Sequence, residues 1–453
     1  MIGLFSSVIY QIKSYQSPIA INLYSPLGYT QKYSFTEGED ISFYIHNKND
    51  ASLDLYYLGA KKEKIKSFGL LSKNIQSKFF NRKLGFNWKA SFLLQTNEFK
   101  SGYYLLELKD EKSGNMGQIP FIIKPKKAKR IALIASTNTW DAYNYYGGKS
   151  NYKDNQTPIL FKTIHNAIYR IQSIVRTYER RPSKRLPKNR PYYVKGIGFD
   201  SEIRMEELII DNDPTSPFTS NKLRSEWVLA SFLDIHGIEY GVYSDRDLAF
   251  DYSINNAEII VLNTHSEYWS SQMIGRLQQF IEKGGKVVSL SGNNIYRQIE
   301  FKNGYIEVVN QRLNPKKATE LIGTFYTDTI SEKEMGYKVI NPAHWVFKGS
   351  GIQLNSVFGK YSANWGRENK GFSHGASADE VDQINEYTKG FETLAIGENK
   401  STPPAYMVFK NTKYGGWIFN ASSITFVGAL FHDSVINQIV LNLLSPLNPD
   451  SVN

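Results

Sequence analysis

The stretch Ile259-Ile260-Val261-Leu262-Asn263-Thr264-His265-Ser266-Glu267-Tyr268-Trp269-Ser270 opens as an apolar run and closes on a His-x-Glu pair. Four consecutive aliphatic residues read as a strand buried on both faces, the kind found inside a parallel sheet. Helical spacing follows at once. Met273, Ile274, Leu277, Phe280 and Ile281 fall inward, Ser270 or Ser271 suits the N-cap, and Gly284-Gly285 stops the helix. The next run, Lys286-Val287-Val288-Ser289-Leu290, completes a strand–helix–strand unit. Open α/β sheets bind ligands outside the carboxyl ends of their strands, which is where His265 and Glu267 stand. Two residues apart on extended chain, they share one side. They serve either as chemistry or as a cap and salt bridge for the helix that follows.

The same alternation extends both ways. Upstream lie a buried strand at Ile131-Ala132-Leu133-Ile134-Ala135, a helix from about Ser220 to His236 with Val228, Leu229, Phe232 and Ile235 inward and Gly237 as its stop, and a strand at Glu239-Tyr240-Gly241-Val242-Tyr243. Downstream, residues 303–386 are less regular and read as insertions and loops. Order returns with Thr393-Leu394-Ala395-Ile396, Tyr406-Met407-Val408-Phe409, a Gly415-Gly416 turn, Trp417-Ile418-Phe419-Asn420, and a last helix carrying Val435, Ile436, Ile439, Val440 and Leu443. Alternating strands and helices predict a doubly wound parallel sheet. Before it, from Ile21 to Ile123, short alternating runs such as Ile41-Ser42-Phe43-Tyr44-Ile45 predict an antiparallel β-sandwich. The Pro- and Lys-rich stretch Lys124-Pro125-Lys126-Lys127-Ala128-Lys129-Arg130 separates the two. The chain therefore reads as a β-sandwich domain over 1–126 and an α/β domain over 127–453.

Bulk properties remove several kinds of function. Zero cysteines exclude disulfides, thiolate zinc sites and a Cys nucleophile. A formal charge of +11 is concentrated in the 124–130 stretch and in Arg180 to Arg190. Both contain Pro and read as a solvated linker and loop, and no nucleic-acid-binding signature accompanies them, which argues against nucleic acid as a partner. No stretch is long and apolar enough for a membrane span, and Met1-Ile2-Gly3-Leu4-Phe5 lacks the features of a signal peptide, so the expectation is a soluble, cytoplasmic protein. There is no His-Glu-x-x-His helix and no phosphate-binding loop. Gly196-Ile197-Gly198-Phe199-Asp200 lacks the third glycine of a dinucleotide fingerprint.

Three strand ends carry polar residues: Thr137-Asn138-Thr139-Trp140-Asp141-Ala142-Tyr143 and onward to Tyr152, His265-Ser266-Glu267, and Ser291-Gly292-Asn293-Asn294. Within one strand–helix–strand unit the last two ends are neighbours, placing Asn293 near His265. A carboxylate, a histidine and tyrosines, 30 in the whole chain, suit a hard metal with oxygen ligands better than thiolate chemistry.

These three motifs, with Gly85-Phe86-Asn87-Trp88 and Gly416-Trp417-Ile418-Phe419-Asn420-Ala421-Ser422-Ser423, resemble in order the large subunit of N,N-dimethylformamidase. The resemblance implies a class I glutamine amidotransferase-like fold for the second domain and hydrolysis of a small amide at a mononuclear Fe(III) held by two tyrosines and a glutamate. By motif the ligands are Glu267, Tyr143 (with Tyr152 as second choice) and Tyr192, while His265 and Asn293 fall at catalytic, substrate-facing positions. One departure stands out: where the family places a glutamate in an Ala-Glu-Met element, this chain reads Ala405-Tyr406-Met407. The competing expectation is a non-catalytic relative that binds a carbohydrate or a protein partner. A homo-oligomer is left open.

Overall fold

The computed structural model describes residues 19–20, 23, 25–81, 83–144, 146, 150–151, 183–191, 213–217, 222–327, 334–364, 374–399 and 402–445. Its first third forms two facing sheets. Ser34–Thr36, Met116–Lys124, Gly102–Asp110, Ala51–Leu58 and Lys62–Leu71 lie side by side in that order, and Leu27–Thr30, Ile41–His46 and Phe92–Leu94 form the second sheet. Strand Ala51–Leu58 buries Ala51, Leu53, Leu55 and Tyr57 and turns the residues between them outward, the period of two that a half-covered sheet requires. Leu53 and Leu55 from one sheet share a core with Phe43 and Ile45 from the other. This is the expected sandwich.

The remainder is organised by one sheet of nine strands, in the order Tyr240–Ser244, Ile131–Ala135, Ile259–Thr264, Lys286–Ser291, Trp417–Asn420, Tyr406–Asn411, Glu392–Gly397, Tyr337–Val339 and Val357–Phe358. The first five are mutually parallel. Numbered along the chain, they run 2-1-3-4-5 in space, so the order reverses between Ile131–Ala135 and Ile259–Thr264. A crevice opens outside the carboxyl ends of strands at such a reversal. The aliphatic run Ile259–Leu262 is buried on both faces, as its sequence predicts. Val261 packs on one side with helix Leu223–Ile235 and with Leu58, Tyr103 and Leu105 of the sandwich. Ile260 and Leu262 pack on the other with helix Ser271–Glu282, and each contributes roughly 1.5–3 kcal/mol through burial.

Three details differ from the sequence reading. The sheet is parallel only through its first five strands; the last four pair antiparallel. The cause is visible at Gly415-Gly416: a short turn can join only antiparallel neighbours, whereas a parallel pair needs a long crossover. His265-Ser266-Glu267 does not lead straight into a helix. The backbone N–H groups of Tyr296 and Arg297 donate to the Glu267 carbonyl at 3.0 and 2.9 Å, drawing Tyr268–Ser270 into a separate sheet with Arg297–Lys302, Tyr305–Asn310 and Arg185–Pro187. Ser270 still caps helix Ser271–Glu282, accepting from Met273 N at 3.2 Å. Finally, residues 303–386 include strand Tyr305–Asn310, helix Pro315–Ile322 and two strands of the large sheet, as well as loops.

Candidate active site

At the switch point the strand Ile259–Thr264 ends in a forced turn. Thr264 adopts φ +52°, and His265 N–H donates back to the Asn263 carbonyl at 2.7 Å. Neighbouring strand ends hold the exposed segment. The Thr139 hydroxyl donates to the His265 carbonyl at 2.9 Å and accepts from Glu267 N–H at 3.4 Å. Asn138 Nδ2 donates to the Tyr268 carbonyl at 3.1 Å, and Ser266 N–H donates to Ser291 Oγ at 2.9 Å. The polar motifs after Ala135 and Leu290 thus fix His265 and Glu267 in place.

Backbone strain gathers here. Thr264, Asn293, Ile295, Glu380 and Ser422 all have positive φ, between +41° and +62°, at a cost of about 1–2 kcal/mol per residue. Such residues persist where surrounding contacts over-determine them, commonly around functional sites. One glycine is essential to the arrangement: a Cβ on Gly292 would lie 2.3 Å from the Glu380 carbonyl oxygen and 2.7 Å from Ile424 N. Only glycine lets the loop bearing Glu380 close over the strand end.

That loop supplies the centre of the cluster. His265 Nε2 lies 2.8 Å from Glu380 Oε2 and 3.4 Å from Glu267 Oε2. Asn293 Nδ2 donates to the same Glu380 oxygen at 2.9 Å. The other oxygen of Glu267 accepts from Arg297 Nε at 2.6 Å. The Tyr143 ring meets His265 edge-on with centroids 5.4 Å apart, and Lys222 Nζ sits 3.7 Å from the Tyr143 centroid. His265 and Glu267 are almost wholly buried, while Glu380 remains 25% exposed and faces the solvent side. Asp382 accepts from Asn293 N at 2.8 Å and from Asn294 Nδ2 at 2.9 Å, anchoring the turn that presents Asn293. Among the described residues, His265 Nδ1, Asn293 Oδ1 and Asn294 Oδ1 have no hydrogen-bond partner, and His265 Nε2 meets Glu380 as an ion-pair contact without hydrogen-bond geometry.

Burial alone would depress the His265 imidazole, but Glu380 first and Glu267 second outweigh it and hold its pKa above the ordinary 6.5. Burial would raise Glu380, yet His265 and Asn293 bring it down to about 2. The pair is therefore biased toward imidazolium and carboxylate at neutral pH. The resulting centre can donate a proton at Nδ1 and accept a hydrogen bond at Asn293 Oδ1.

The structure brings together four of the residues singled out in the sequence: Tyr143, His265, Glu267 and Asn293. Tyr192 and the alternative Tyr152 lie outside the described residues. Glu380 and Arg297 escaped the sequence reading. Glu380 belongs to Ser377-Ala378-Asp379-Glu380-Val381-Asp382, whose three carboxylates in six residues were the available signal. Among the described residues, no group of three or more His, Asp or Glu side chains is placed to hold a metal ion. The donor types nevertheless fit a hard ferric ion: a phenol and a buried carboxylate flank one imidazole whose Nδ1 is unpartnered.

These features define an α/β protein with a buried histidine–carboxylate cluster at the switch point of its sheet, joined to a β-sandwich. More particularly, the chain belongs to the N,N-dimethylformamidase beta subunit-like, C-terminal family, whose sequence model matches residues 54–437. The family is named for one subunit of a multi-subunit enzyme. No curated protein matches the chain. A solved structure titled "mmIFT52 N-terminal domain" aligns at 10% identity and a TM-score of 0.30, covering 49% of this chain and 91% of that one; so loose a likeness carries no argument. Among the described residues no helix is long and apolar enough to cross a membrane.

Proposed function

We propose that the protein is a cytoplasmic amidohydrolase that cleaves the C–N bond of a small linear amide at a mononuclear Fe(III) held by Tyr143, Tyr192 and Glu267. The observation that carries the reading is the buried His265–Glu267–Glu380 cluster with unsatisfied capacity at His265 Nδ1 and Asn293 Oδ1. The family match supports an amide as substrate. The 2-1-3-4-5 strand order supports a class I glutamine amidotransferase-like fold for residues 127–453, following a separate sandwich domain over 1–126.

A ferric ion, when bound, supplies Lewis acidity toward the amide oxygen and lowers the pKa of water. The chain's own residues account for the remaining tasks. Glu380 and Glu267 favour the protonated form of His265, whose Nδ1 proton then goes to the departing amine nitrogen, which cannot leave as a free anion. Asn293 Oδ1 accepts a hydrogen bond and orients attacking water, because its Nδ2 is already committed to Glu380. Arg297 fixes Glu267 in one rotamer. Glu380 provides a carboxylate in a chain that has Tyr406 where the family carries a glutamate.

Purified full-length protein from iron-supplemented growth is expected to contain about one equivalent of iron and to show a phenolate-to-iron charge-transfer band. Glu267→Ala and Tyr143→Phe should each abolish or shift that band. Metal-free protein from the same growth would overturn the iron assignment.

A further inference from the structure

A polar cavity of about 340 Å³ lies where the sandwich meets the α/β sheet, on the side of helix Thr137–Tyr143 away from His265. Thr137, Asn138 and Asp141 share the face of this helix that lines the cavity, whereas Thr139 and Tyr143 point toward His265, as a period of 3.6 requires. The volume falls within the range of small-molecule sites. Its rim includes exposed Gln31 and Lys32.

The charges around it do not balance. Lys124 Nζ holds both Asp247 and Asp251, at 2.9 and 2.5 Å. Lys32 pairs with Glu39 at 2.5 Å. Arg190 is buried and donates to the carbonyls of Asp141 and Asn144 at 2.7 and 2.9 Å. Asp141, the remaining anion, accepts from Tyr33 OH at 3.0 Å and is acted on by Arg190 first and Lys188 second. Among the described residues, Lys188 and Arg246 form no salt bridge. Their cationic ends converge on the Phe301 ring, with Nζ 5.6 Å and Cζ 5.4 Å from its centroid. Lys188 is half-buried and Arg246 exposed; two like charges brought together at the mouth of a cavity repel each other and are stabilised by an anion between them.

A second and independent feature belongs to a residue that lines the same space. Ser34 lines the cavity and is 6% exposed, and its buried Oγ has no hydrogen-bond partner among the described residues. An unsatisfied buried hydroxyl costs roughly 1–3 kcal/mol. It is accounted for if the hydroxyl donates to something that occupies the cavity.

From these observations we infer that the cavity is a binding site for a small oxyanion, either a carboxylate or inorganic phosphate, held by Lys188 and Arg246 with Ser34 donating a hydrogen bond. This site is separate from the His265 cluster and does not depend on the amidohydrolase reading. Calorimetric titration of the full chain with sodium phosphate and with sodium acetate, at ionic strength matched with sodium chloride, tests it. Saturable binding of phosphate, acetate or both is expected, and the two arms tell which oxyanion the site prefers. Lys188→Met should weaken binding by roughly tenfold or more, as loss of a charge-assisted contact does, and Ser34→Ala should weaken it less. Binding of neither oxyanion, binding unchanged in both variants, or a response no different from that to chloride would overturn the proposal.

Discussion

Glu226 and Glu267 are both fully buried carboxylates near the carboxyl ends of the parallel strands, yet their surroundings differ in kind. Glu226 accepts from three neutral donors, Ser136 N–H at 3.0 Å, Trp140 Nε1 at 3.1 Å and the Tyr103 hydroxyl at 3.2 Å. Burial pushes it up to about 7. It ties the sandwich to the first strand end and offers nothing further. Glu267 is held by charged groups, Arg297 and His265, and its neighbours His265 and Asn293 retain unpartnered atoms. Burial of a carboxylate therefore does not mark the reactive centre. Hydrogen-bonding capacity left over inside a charged cluster does.

The comparison is sharpened by substitutions whose effects fall in order. Glu226→Ala removes three buried hydrogen bonds and should cost roughly 3 kcal/mol or more in denaturant unfolding, whereas Glu226→Gln should cost far less. Glu380→Gln should lower stability by roughly 1–3 kcal/mol near pH 6, since it removes a charge-assisted contact. It should also move the His265 titration downward when followed by NMR. The sign of the pH dependence follows from both partners. The raised His265 contributes fully below 6.5 and its contribution is lost as pH rises through the folded value. The depressed Glu380 contributes above 4.5 and its contribution is lost as pH falls toward about 2. The pair is strongest between pH 4.5 and 6.5. The smallest effect is expected for Asn293→Gly. Relief of a positive φ offsets loss of the contact to Glu380, leaving stability within about 1 kcal/mol of wild type while the His265 titration shifts.

Much of this architecture was legible in the sequence because it is periodic. Ile259–Leu262 and the helix beginning at Ser271 carry their own hydrophobic patterns, and the alternation in Ala51–Leu58 announces a half-covered sheet. His265, Glu267 and Asn293 were visible as polar residues directly following apolar runs. Glu380 was not, because nothing local connects it to His265. It arrives through a loop more than a hundred residues away, admitted by the missing side chain of Gly292. The antiparallel half of the sheet was missed for a related reason. Strand direction is set by connections, and the Gly415-Gly416 turn was read as punctuation without its consequence for pairing.

Release of dimethylamine from N,N-dimethylformamide by the iron-loaded full chain, compared across wild type, Glu380→Gln and Glu226→Gln, tests the central claim most directly. The account predicts turnover by wild type, a loss of roughly a hundredfold in Glu380→Gln, as expected when proton transfer is impaired, and near-wild-type turnover in Glu226→Gln. An iron-loaded wild type that releases no amine, or a loss that falls on Glu226→Gln while sparing Glu380→Gln, would contradict it.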